Sequence, residues 1–308
     1  MENPIVHIGY HKTATNWFQR AFYPEIKNYF YVSRKKVRRT FLFPHALCFD
    51  SRASRHYLEG LSSLPLILCE EELSGNLHTG GHCGCIAKDV ANRIKTSLPN
   101  AKIVIFIRSQ VDMIASVYKQ YIKEGGTHSP RRYLFPHNYL SSSGFSPYHI
   151  PLFSFDHFRY YPLIQYYQRL FGRERVHVYP YEAFRADNAG FISRMGAEFN
   201  FEISASAIDF APQNLTYKSA TLRIARLINR LTYQDVMDKT YLVHIPHLYK
   251  NTRKLLKHIN KWSIMGKSPS PEKLMGRGIV AHIKTYYGEN NFRMGRELNL
   301  PLEKYGYF

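Results

Sequence analysis

Within the first 16 residues a glycine is followed by a histidine, a lysine, two threonines and an asparagine. The stretch IVHIGYHKTATNWFQRAF, Ile5 to Phe22, joins an apolar run to an amphipathic one. The pattern predicts a buried strand over 5–9, a turn, and a helix over 15–23. At such a junction backbone N–H groups and the positive helix end converge on one point, which suits an anion. Gly9 allows a tight exit, Lys12 adds a full charge, and Thr13, Thr15 and Asn16 add short donors. The plainer alternative is a solvated lysine, with Thr13 or Thr15 capping the helix. The loop is not a Walker A box: Gly9 lies only three residues before Lys12, and His11 precedes the lysine. No G-x-G-x-x-G occurs.

The elements that must hold this loop follow from the rest of the chain. LPLILCEEEL (64–73) reads as a second buried strand running into acids, and 86–98 has helical spacing. AKIVIFIRS (101–109) is a continuous β-branched strand, suited to the middle of a parallel sheet. A helix follows it, with Ser109 and Asp112 resembling a capping box and Gly125–Gly126 as the stop. Residues 127–157 read as a long loop, 158–171 as a helix and RVHVYPYE (175–182) as a fourth strand. Strands alternating with helices argue for α/β architecture with a central parallel sheet flanked by helices. From about Ser219 the chain reads as mostly helical and basic. No repeat or linker cuts it, so one domain over 1–308 is expected.

Composition narrows the partners. The 308 residues carry 42 Lys and Arg against 23 Asp and Glu, a formal charge of +19. That excess favours an anionic ligand, acceptor or surface. Met1 to Pro4 lacks the basic start of a signal peptide, and no apolar run is long enough to span a bilayer, so a cytoplasmic protein is expected. HTGGHCGC gathers His78, His82, Cys83 and Cys85, but at no usual zinc spacing. The expectation is no metal and free thiols.

Two of these motifs resemble a known family. GYHKTATNW is similar to the 5′-phosphosulfate loop of sulfotransferases that use 3′-phosphoadenosine 5′-phosphosulfate (PAPS), usually PKTGTTW or, in bacterial members, HKTGTT. IVIFIRSQVDMIASVY resembles the family's 3′-phosphate segment, in which a strand ends in arginine and a serine follows eight residues later; here these are Arg108 and Ser116. Weaker echoes in RVHVYPYEAF, PQNLTYKS and YYGENNFRMGREL extend the resemblance over most of the chain. It implies a P-loop NTPase-like sulfotransferase fold. It also implies transfer of a sulfuryl group from PAPS, as co-substrate and without a metal, to an acceptor hydroxyl on a sugar or glycoconjugate.

Residue by residue, the resemblance places His11, Lys12, Thr13, Ala14, Thr15 and Asn16 on the phosphosulfate, and Arg108 and Ser116 on the 3′-phosphate. Lys12 stabilises the leaving oxygen. LILCEEELSG resembles S-x-E-x-L-S-G of bacterial members and implies Glu71 as the base, with His11, His78 and His82 as rivals. Ala14 replaces the usual glycine and Asn16 a threonine; alanine is tolerable there with a negative φ. Arg277–Gly278 is a weak counterpart of the segment that closes over the cofactor in cytosolic eukaryotic members. A kinase-like phosphotransferase and a non-enzymatic polyanion binder are the competing readings.

The basic stretch 246–263 completes the expectations. Leu248, Leu255, Ile259 and Trp262 share one helix face, with Trp262 and Ile259 read as core. Lys250, Arg253, Lys254, Lys257 and Lys261 lie largely elsewhere. These cations are expected to attract an anionic acceptor or keep the protein soluble, with an interfacial membrane helix as the competing reading.

Overall fold

The computed structural model describes residues 3–136, 152–203, 208–211, 216–233 and 240–308. Five strands form one sheet: β1 (Ile5–Gly9), β2 (Phe30–Val32), β3 (Leu66–Cys69), β4 (Lys102–Ile107) and β5 (Val176–Pro180). Their order is β2-β3-β1-β4-β5 and every neighbouring pair is parallel. β1 and β3 are buried at every residue, which is why their sequences run apolar instead of alternating. β2 has only three residues; FYV lies between charged and polar neighbours, too short to stand out as a strand.

The helices are α1 (Thr15–Trp17), α2 (Arg34–Phe41), α3 (Ser51–Glu59), α4 (Cys85–Ser97), α5 (Gln110–Lys123), α6 (Pro130–Leu134), α7 (Tyr160–Phe171), α8 (Tyr181–Ala186), α9 (Asn188–Phe199), α10 (Ser219–Asn229), α11 (Leu248–Ile259), α12 (Pro271–Met275) and α13 (Arg277–Glu297). The helix expected over 15–23 departs from regularity. Three α residues lead into a π turn at Phe18–Phe22 and a 3₁₀ turn at Tyr23–Glu25. Tertiary packing sets this geometry: Trp17, Phe18 and Phe22 enter an aromatic cluster with Phe106, Phe184 and Phe191 on one face of the sheet. The long loop expected over 127–157 contains α6, and its part at 137–151 lies outside the described residues. No helix of the described residues is long and apolar enough to cross a membrane.

The chain divides into two compact units. The first comprises 1–109, 156–213 and 289–308 and contains the whole sheet. The second comprises 110–155 and 214–288, with α5, α6, α10, α11 and α12; α13 runs through the division. In the second unit α5 packs against α10 and α12, and α10 against α11. Asn229 ties three of these helices together. Its fully buried amide donates to the carbonyls of Ile122 (2.8 Å) and Gly126 (2.7 Å), and its oxygen accepts from Arg253. Asn229→Ala strands those groups in a dry site. A loss of about 3 kcal/mol is expected from unpaired buried polar atoms, read by denaturant titration.

Candidate active site

In a parallel sheet all strands leave at the same edge, and ligands bind beyond it where successive connections diverge. Here β1 connects toward β2 and β4 toward β5, in opposite directions, and β1 and β4 are neighbours. The Lys12 loop leaves one side of that switch point and Arg108 the other. The β1–β4 register slips between His7 and Gly9, and Tyr10 N–H then bonds Phe106 O at 2.8 Å. Such a bulge re-aims the chain that follows it. Gly9 has φ 111°, and a side chain there would come within 3.1–3.3 Å of Glu71 backbone and Ser74 Oγ. The turn after β1 therefore lies hard against the turn after β3.

The loop itself is built differently from a helix N-terminus. Lys12 (φ 64°) and Ala14 (φ 66°) are both left-handed, with Thr13 between them. Alternation of this kind curls successive N–H groups into a concavity that suits an anion. The N–H groups of Ala14 and Thr15 find no acceptor among the described residues. The condition on which alanine was tolerable at 14, a negative φ, is not met: the position has a backbone that suits glycine and carries the strain of a Cβ.

Nor do the threonines cap the helix. Ala14 occupies the cap position, while the buried Thr13 hydroxyl donates to Tyr10 O (2.5 Å) and the Thr15 hydroxyl to the same oxygen (3.4 Å). Both hydroxyls lock the turn from inside. Asn16 is half-buried beside them.

Arg108 reaches the loop across 96 residues of sequence. Its Nη1 donates to Lys12 O at 3.1 Å, its guanidinium lies 5.1 Å from the centre of the Tyr181 ring, and its own carbonyl accepts from Tyr160 Oη at 2.7 Å. The guanidinium is spent on a backbone carbonyl, not on Asp112. Ser109 N–H goes to Glu182 (2.9 Å), which also accepts from Tyr307 Oη, so the expected capping box with Asp112 gives way to a tertiary bond. Ser116 lies half-buried on α5, within the second unit, and Arg277 is exposed at the start of α13.

The three glutamates after β3 are not a solvated strand end. Glu70 is fully buried and takes paired bonds from Arg34 (2.9 and 2.9 Å) and Arg38 (2.8 and 3.2 Å). Burial alone would raise its pKa, but the two guanidinium groups hold it below the usual carboxylate range. Glu71 accepts from Arg34 (2.6 Å) and from Gln19 Nε2 (3.0 Å). Glu72 accepts from Arg38 at 3.0 Å. Arg34 and Arg38 sit four apart on one face of α2, the signal in RKKVRRT that sequence reading passed over.

His11 brings further imidazoles into the picture. Burial, then His157, Lys12, His78 and Arg34, push its pKa well down. His157, unnoticed in the sequence, is pushed down to about 3 by burial and then by His78. Among the described residues His11 Nδ1 and His157 Nε2 are buried without a hydrogen-bond partner. The glycine-rich HTGGHCGC stretch serves this contact: Gly80 has φ 71°, and a Cβ there would sit 2.7 Å from His157 Nδ1. His78 is buried, whereas His82, Cys83 and Cys85 are exposed. Among the described residues no group of three or more His, Cys, Asp or Glu could hold a metal ion.

No family model matches the chain, and no curated protein does. Solved structures similar to it include two sulfotransferases. A sulfotransferase from Alicyclobacillus acidocaldarius shares 20% identity over 74% of this chain and 91% of its own, with a TM-score of 0.49. A mouse sulfotransferase, SULT7A1 complexed with PAP, shares 13% identity over 93% of this chain and 90% of its own, with a TM-score of 0.34. At these scores neither neighbour bears on which residues act here.

Two measurements check this geometry. Ala14→Gly relieves a left-handed alanine, whose strain of about 1–2 kcal/mol outweighs the roughly 0.4–1 kcal/mol of added unfolded-state entropy, so the melting temperature should rise. The histidines set a pH dependence. An imidazole that titrates near 6.5 when unfolded and near 3 when folded takes up its proton only on unfolding. Stability is therefore lost as pH falls below 6.5, by up to about 1.4 kcal/mol per pH unit for each such group. His157→Phe should flatten the fall in melting temperature between pH 6.5 and 5.

Proposed function

We propose that the chain is a sulfotransferase that moves a sulfuryl group from PAPS to a hydroxyl of a sugar or glycoconjugate. One observation carries the reading. A lysine-bearing anion concavity leaves β1 at the switch point of a parallel sheet, and an arginine from the next strand holds it. The family resemblance of the same two segments supplies the nature of the anion.

Binding comes first. The N–H groups of Ala14 and Thr15, with Lys12, take the 5′-phosphosulfate, and Asn16 adds an amide donor. Arg108 takes the 3′-phosphate with a guanidinium already oriented by the Tyr181 ring and the loop carbonyl. The part of Ser116 at that phosphate rests on the sequence resemblance.

Chemistry then follows from charge. As the acceptor oxygen bonds to sulfur and the sulfur–oxygen bond to the phosphate breaks, negative charge grows on the oxygen that leaves. Lys12 is the cation beside it, and stabilisation of developing charge by a fixed group is the largest catalytic effect available to such a site. Glu71 takes the acceptor proton. Arg34 and Gln19 fix its carboxylate, the orientation by a third group that a general base requires. His11, kept neutral by its surroundings, adds no second cation to compete for the carboxylate.

Lys12→Ala should leave the fold intact and lower kcat by about two to three orders of magnitude; near-normal turnover would remove Lys12 from the leaving oxygen. Arg108→Ala should weaken adenosine 3′,5′-bisphosphate far more than 5′-AMP in calorimetry, since only the former carries the 3′-phosphate. Equal losses would make Arg108 structural. For the base, Glu71→Gln should cost about 10²–10⁴ in rate and abolish the acid limb of the pH–rate profile. A limb that survives in Glu71→Gln and disappears in His11→Asn would transfer the role to His11.

A further inference from the structure

We propose that the α10–α11 face of the second unit is a docking surface for anionic lipid bilayers. This inference is independent of the reaction assigned above. Its starting point is a correction. Trp262, expected in the core, is 51% exposed in the turn after α11, and Leu255 on α11 is 56% exposed. The buried line of α11 instead runs through Leu256 and, one turn later, Asn260, with Tyr249 and Arg253 half-buried above them.

The exposed apolar residues are concentrated here. Of the sixteen large hydrophobics exposed in the described residues, nine fall between Leu227 and Ile264, among them Leu242 (76%) and Ile264 (80%). The scaffold under them is ordered by specific bonds. At the C-terminal end of α10, Leu242 N–H bonds Arg230 O (2.7 Å) and Ile245 N–H bonds Leu231 O (3.1 Å). At its N-terminal end Lys218 Nζ holds Trp262 O (2.8 Å) and Ser219 N–H bonds Lys267 O (3.1 Å). α10 presents Arg223, Leu227 and Arg230 outward at i, i+4 and i+7. α11 exposes Leu255 together with Lys250, Lys254 and Lys257, and the turn that follows it exposes Lys261 and Trp262.

Charge decides the occupant. Residues 219–267 hold ten Lys and Arg against two acids, Asp235 and Asp238. Two copies of so positive a face repel each other. A soluble polyanion would neutralise the lysines but leave Leu255, Trp262 and Ile264 in water. A bilayer with anionic headgroups meets both demands: acyl boundary for the apolar residues, a tryptophan at headgroup depth, and phosphate charge for the cations.

The test is co-sedimentation of the full chain with phosphatidylcholine vesicles, with and without phosphatidylglycerol. Brominated lipid serves as a quencher of tryptophan fluorescence. Trp17 is buried, so quenching reports on Trp262. Binding should require phosphatidylglycerol, weaken with salt, and quench the fluorescence. Leu255→Ser/Ile264→Ser, which keeps Trp262 and touches only exposed positions, should bind vesicles at least about tenfold more weakly while its thermal melt is unchanged. Lys254→Glu/Lys257→Glu should lose the preference for phosphatidylglycerol. Three results would overturn the proposal. One is sedimentation unaffected by the serine substitutions, with equally tight heparin binding, which makes the face a polyanion site. Another is absence of quenching. The third is concentration-dependent dimerisation abolished by the same substitutions.

Discussion

Parallel pairing of β1 between β3 and β4 is the constraint on which the first unit depends. Because the three strands run the same way, all three release their chains at one edge. The lysine loop, the glutamate turn and Arg108 are then neighbours by topology, although 96 residues separate Lys12 from Arg108. Reverse any one of these strands and one of the three would leave at the far edge. Close contact follows from the same geometry. Gly9 leaves too little room for a side chain against the Glu71 backbone, and Arg108 bonds the Lys12 carbonyl, because adjacent strand ends in a sheet are only about 4.8 Å apart.

Convergence has an electrostatic cost that the neighbouring side chains offset. Burial raises the pKa of Glu70; Arg34 and Arg38 outweigh that and hold it below the usual carboxylate range, and it in turn anchors both guanidinium groups. That pair then orients Glu71 and Glu72. Replacing the whole cluster by apolar residues could leave stability unchanged, since buried ion pairs rarely exceed their desolvation cost. Its value is positional: a carboxylate fixed against Gln19 at the mouth of the loop. The left-handed Ala14 follows the same logic, a local strain held by the bonds that lock the turn around it.

How much of this was legible varies with the kind of signal. Four of the five strands stood out because their apolar runs are nearly unbroken, Lys12 because it lies in the turn after one of them, and Arg108 because the strand that it ends resembles a family segment. β2 is too short to carry a pattern. The π turn at Phe18–Phe22 is set by aromatic packing across the sheet, which no local periodicity encodes. The left-handed φ of Ala14 was not legible because its backbone is imposed by the turn, against the preference of the residue. Arg34, Gln19 and His157 were missed because their partners lie far along the chain: Glu70 is 36 residues from Arg34, and Glu71 is 52 from Gln19. Trp262 illustrates the opposite error. An apolar stripe on a helix declares that a face is buried somewhere, and reading it as core assumes that the burial happens within the same chain.

The overall charge of +19 divides by what each cation faces. Several arginines of the first unit fasten its backbone. Arg93 donates to the carbonyls of Phe41 and Pro44, Arg55 to those of Thr96 and Ser97, and Arg175 to that of Asn100. Arg34 and Arg38 are matched by glutamates. Arginine suits these places because its fork stays charged and reaches several acceptors at once. The outer side of α11 and the turn after it is different: Lys250, Lys254, Lys257 and Lys261 are exposed lysines with no acid between them. Flexible ammonium groups of that kind make poor fasteners and good contacts for a diffuse negative surface. The same formal excess thus includes arginines that fasten backbone carbonyls and glutamates in the first unit, and lysines that, with Arg223 and Arg230, face outward in the second, a division that net charge alone conceals.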